Sequence, residues 1–72
     1  MYIKNLIESI EQCKGTMNNR VYRTMLAKAY VLFYSTQNEN KADIQYKVNS
    51  KLLEHSMKRI SYTFVCDTLK NK

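Results

Sequence analysis

Residues 26–35 read LAKAYVLFYS, and within them Ala29 to Tyr34 run Ala, Tyr, Val, Leu, Phe, Tyr without a charge or a polar gap. On a helix, six such positions at about 100° apiece face every direction. A strand of that composition would need cover on both faces. Either way, something must surround this segment. In a chain of 72 residues, one domain spanning 1–72, the supply of covering surface is limited. A chain this short buries only about 60% of the surface its unfolded form exposes.

Outward from this segment the pattern is helical. Ile3, Leu6, Ile7, Ile10, Met17, Val21, Met25 and Leu32 fall on one side of a helical wheel, interrupted by Gly15. Gly15 is expected to kink the helix or to close a short first helix, with Thr16 as cap of the next. On the other side, STQNENKAD at residues 35–43 is polar and reads as a turn, with Asn40 or Asp43 capping the next helix. Residues 43–70 then carry two apolar stripes: Leu53, Met57, Ile60 and Phe64 with Tyr46, and Ile44, Val48, Leu52, Tyr62, Cys66 and Leu69. Strand alternation fits neither half. The expected fold is all-α: an antiparallel two-helix hairpin, with a kink or a short extra N-terminal helix near Gly15.

A hairpin hides one stripe per helix, so the second stripe of residues 43–70 and the outer side of 29–34 are expected to stay open. Open apolar surface on that scale marks an interaction face. The candidate partner-binding residues are Leu53, Met57, Ile60 and Phe64, flanked by Leu26, Tyr30, Phe33 and Tyr34. Self-association is expected when a partner is absent.

Chemistry is thinly represented. His55 is the only histidine, Cys13 and Cys66 share no CxxC spacing, and one glycine cannot build a phosphate loop. Tetrahedral zinc wants four ligands, so no metal is expected, nor any cofactor. On a continuous helix, His55 and Cys66 would lie three turns apart, too far for a nucleophile and its base. No catalytic residue is assigned and the protein reads as a non-enzyme. The N-terminus has no signal-peptide pattern and no apolar run reaches the roughly 20 residues of a membrane span. A cytoplasmic protein with reduced thiols is expected.

Net charge is +6, from twelve Lys and Arg against six Asp and Glu, with no block of four cations. Six Tyr interleave with these cations, an arrangement suited to single-stranded nucleic acid. Tyr and Met are also common in helix-mediated protein interfaces, which sets protein contact ahead of nucleic acid.

Residues 41–64, KADIQYKVNSKLLEHSMKRISYTF, carry a polar turn, Gln45-Tyr46, then Ser50-Lys51, Leu53-Glu54, Ile60 and Tyr62. This stretch resembles the small helical-hairpin co-chaperones of the type III secretion needle subunit (the EscE/YscE type). The resemblance implies a non-catalytic hairpin that docks on a tetratricopeptide-type chaperone, which in turn keeps the needle subunit soluble in the cytoplasm. The chain is more basic and more aromatic than that pattern implies. As an alternative, VLFYS at residues 31–35 resembles a fragment of short nucleoid-associated modulators of transcription (the Hha type).

Overall fold

The computed structural model describes residues 2–16, 18–37 and 40–70, with side chains described from Asn5 onward. Among the described residues four helices follow one another: α1 (Tyr2–Gln12), α2 (Asn19–Ser35), α3 (Lys41–Glu54) and α4 (Tyr62–Lys70). The all-α class holds, but the two-helix hairpin gives way to four shorter helices. An unbroken helix over residues 43–70 would be about 42 Å long. The longest dimension of the molecule is 33 Å, and its radius of gyration is 11.4 Å. About 11 Å is expected of a compact domain of this length.

The break near Gly15 is present, but its chemistry differs from expectation. Gly15 has no positive φ, and an added Cβ would meet nothing within 4 Å. The Thr16 hydroxyl donates back to the Cys13 carbonyl (2.9 Å). The cap of α2 is Asn18, whose side-chain oxygen accepts from the Arg20 amide at 2.8 Å. Asn40 caps α3 as expected, accepting from the amides of Ala42 and Asp43. Asp43 in the first turn and Lys51 in the last complement the α3 dipole.

The second break, over residues 55–61, has no glycine or proline to announce it. Leu52 and Leu53 carbonyls accept from the Met57 and Ser56 amides at 2.9 Å each. That pair of bonds is the Schellman close of a helix, and Ser56 takes the left-handed position with φ 58°. A side chain there costs about 1 kcal/mol or more, and long-range bonds offset it. Asn49 accepts from the Ile60 amide (2.8 Å) and donates to the Ile60 carbonyl (3.3 Å), where Gln45 also donates (3.2 Å). Arg23 of α2 donates to the Lys58 and Arg59 carbonyls at 3.2 and 2.7 Å. The Ser61 hydroxyl then accepts from the Phe64 amide and starts α4.

This reversal answers what covers residues 29–34. Helices α1, α3 and α4 all pack on α2, and α4 also packs on α3. Tyr22, Leu26, Ala27, Ala29, Tyr30 and Val31 of α2 are buried, together with Ile7, Ile10, Ile44, Val48, Leu52, Ile60 and Val65. Phe33 and Tyr34 pack partly buried against that core. The chain therefore covers most of its central segment itself, contrary to the open hairpin.

The stripes drawn through the breaks lose their phase. Leu6, Val21 and Met25 are 41–50% exposed, while Tyr22 and Leu26 face inward. Ile3 and Met17, counted on the same stripe, lie outside the described side chains. In the second half Ile44, Val48 and Leu52 are core, but Tyr62 is exposed and Val65 takes the buried place in α4.

Asn49→Ala removes both bonds to a residue that is 4% exposed and leaves its amide unpaired. The expected loss is about 1–3 kcal/mol of stability, read as a lower midpoint in urea unfolding. An unchanged midpoint would show that the latch does not hold the turn.

Candidate functional site: a cationic groove at the α3–α4 connection

Fixing the 55–61 segment against α2 has an electrostatic consequence. A groove of about 530 Å³ opens between the start of α2 and this segment, lined by Lys14, Asn19, Arg20, Tyr22, Arg23, His55, Ser56, Met57 and Lys58. Four of these are permanent cations and none is a carboxylate. A second depression, lined by Gln45, Asn49, Lys58, Arg59, Ile60 and Ser61, shares Lys58 and adds Arg59. Lys14, Arg20, Lys58 and Arg59 are exposed and Arg23 is half-buried. Five of the twelve Lys and Arg thus gather at one end of the bundle.

One lining residue, His55, meets a carboxylate. Glu11 of α1 meets His55 Nε2 at 3.2 Å, and the Tyr30 ring lies 6.5 Å from the imidazole. Half-exposed pairs of this kind are worth about 0–1 kcal/mol, so the contact serves mainly to tie the end of α3 to α1. His55 is thus held by a carboxylate, while Cys13 and Cys66 are half-buried free thiols. Among the described residues, no three His, Cys, Asp or Glu side chains gather as metal ligands would.

The same carboxylate acts on the neighbouring phenols. Burial first, then Glu11 and lesser neighbours, push Tyr30 up to about 12, and burial with Glu11 also raises Tyr22. Around Tyr30 an aromatic cluster closes the C-terminal end of α2: Tyr34 stacks on it at 6.3 Å, Phe33 meets Tyr34 edge-on at 5.2 Å, and Lys47 sits 5.9 Å from the Tyr34 ring.

The eight residues expected to dock a partner are not one surface. Leu26, Tyr30 and Ile60 belong to the core, and Met57, Phe64, Phe33 and Tyr34 are partly buried against it. Leu53 alone among them is open, at 74%, and Tyr46 two turns before it on α3 is 73% exposed. Positions 46 and 53 share a helix face. No helical stripe of the sequence contains the cationic groove, because its members come from three separate stretches of the chain, at residues 14, 19–23 and 55–58. Its sequence traces are the tyrosines interleaved with cations and the start of α2, NRVYR, with two cations and no acid near its N-terminus, the reverse of the usual preference.

No helix among the described residues is long and apolar enough to cross a membrane. No known family model matches the chain, and no curated protein or solved structure shows significant similarity to it.

For a group whose folded pKa is raised, the associated stability is present below the unfolded value and fades as pH climbs through the folded one. Tyr30 therefore makes the bundle weaken between about pH 10 and 12. In an alkaline titration followed by circular dichroism, Tyr30→Phe is expected to unfold at higher pH than the parent. Coincident curves would show that Tyr30 does not govern the alkaline transition.

Proposed function

We propose that this chain is a non-catalytic binding module of the cytoplasm, and that it holds an anionic partner in the groove of Lys14, Arg20, Arg23 and Lys58. The observation that carries this reading is the convergence of four cations on one concavity without a lining carboxylate. Like charges brought together cost stability at close range, and cations beside a helix N-terminus add to that cost. Of the four, only Arg23 repays it internally, through its two bonds to the chain. An anion would relieve the rest. Titration of the ¹⁵N-labelled protein with heparin, a generic polyanion, tests the placement. Amide shifts are expected to be largest at residues 14, 19–23 and 55–61. Shifts spread evenly over all lysine-bearing surfaces, or none, would contradict it.

A second reading is favoured by the open face of α3. Tyr46 and Leu53 lie within residues 41–64, the stretch similar to the needle-subunit co-chaperones, and both side chains are nearly three-quarters exposed. On that reading α3 docks on a tetratricopeptide-type chaperone and helps keep a needle subunit soluble, with self-association as the fallback. Phe33 and Phe64 support the core, so Leu53 is the cleaner probe. Co-expression with such a chaperone and its needle subunit should give a ternary complex that Leu53→Ala weakens by about 2 kcal/mol. A complex that never forms, or one indifferent to Leu53→Ala, would remove this reading.

A further inference from the structure

The groove continues past Lys58. Arg23 takes up the carbonyls of Lys58 and Arg59. The backbone of this segment is therefore tied inward, while both of its cationic side chains are exposed. Lys58 lines both depressions, so the cations run from Lys14 and Arg20, across Lys58, to Arg59. The wall of the second depression is polar apart from Ile60. One residue along the chain from its lining members Gln45 and Ser61 stand Tyr46 and Tyr62, 73% and 49% exposed.

Resting on the binding reading above, we propose that the anion is a single-stranded polynucleotide, its phosphates following this line of cations and its bases meeting Tyr46 and Tyr62. A strand combines regularly spaced charge with flat π-faces, and cationic tracks beside open aromatics are how such strands are held without sequence preference. Arg20 and Arg59 carry planar forks suited to phosphate oxygens. An acidic polypeptide would engage the cations but offers no regular series of flat π-faces to Tyr46 and Tyr62.

Four phosphate contacts, at Lys14, Arg20, Lys58 and Arg59, predict a log K against log salt slope of about −2.8, or about a 50-fold loss between 50 and 200 mM salt. The test is fluorescence anisotropy of the full chain with labelled oligothymidylate and oligouridylate of about 16 nucleotides. Both strands are expected to bind, distinguished from each other only modestly. Arg20→Ala should lower the salt slope by about 0.7, and the pair Lys58→Ala with Arg59→Ala by about twice that. Tyr46→Leu, at a position 73% exposed, should weaken binding without changing the slope. Lys41→Ala with Lys70→Ala, two exposed lysines that line neither depression, serves as the control for total charge and should bind more tightly than the groove variants.

Circular dichroism melting confirms that each variant is folded before it is scored. Equal loss in the control pair, or unchanged binding in the groove variants, would overturn the site. Polyglutamate or phosphatidylserine vesicles bound at the groove in place of the oligonucleotides would overturn the ligand class and leave the binding reading standing. No binding to any polyanion would remove both.

Discussion

The structure depends on how the chain turns back after α3. Ile60 is buried in the middle of a non-helical segment, and its amide and carbonyl must find partners there, because an unpaired buried backbone group costs about as much as a lost hydrogen bond. Asn49 supplies both, with Gln45 sharing the carbonyl. Those bonds hold the reversal that brings α4 back over α2 and α3. With α4 in place, Val65 completes the core and the six apolar residues after Lys28 are largely covered. Without it, the chain has the open hairpin's problem: more apolar face than partners to hide it.

Much of this is legible in the sequence, and the failures share one physical origin. Helix as the element type, the interruption between Ser35 and Lys41 within the polar stretch and the Asn40 cap obey local rules that hold regardless of what packs where. The α3 stripe of Ile44, Val48 and Leu52 is readable for the same reason. The unreadable parts depend on tertiary contacts. Ser56 is a poor residue for a left-handed turn, and nothing nearby signals one. The turn is stabilised from α2 and α3, by Arg23 and Asn49, at sequence distances of 35 and 11 residues. A stripe continued across a break points the wrong way, whether the break is missed, as at 55–61, or expected, as near Gly15. There the periodicity turns Val21 and Met25 inward, where the structure places Tyr22.

The candidate site is hidden for a related reason. Its cations are scattered in sequence, and a scattered basic composition reads as a solvated surface. Folding gathers them because the reversal that buries Ile60 also carries Lys58 and Arg59 to the start of α2, where Arg20 and Arg23 already stand. Arg23 therefore has two roles. Its guanidinium closes the fold through two carbonyls, and its charge adds to the field of the groove. On the proposed binding reading, stability and binding are coupled at this residue, whereas exposed Arg20 and Lys58 contribute charge with little packing.

Both the core and the groove require the chain reversal at residues 55–61, which nuclear Overhauser spectroscopy of the free protein reads directly. Cross-peaks from the Arg23 side chain to the α-protons of Lys58 and Arg59, and from Val65 to α2, are the predicted result. A continuous helical ladder of i to i+3 contacts through residues 55–61, with no peaks from Arg23, would contradict it and restore the long hairpin.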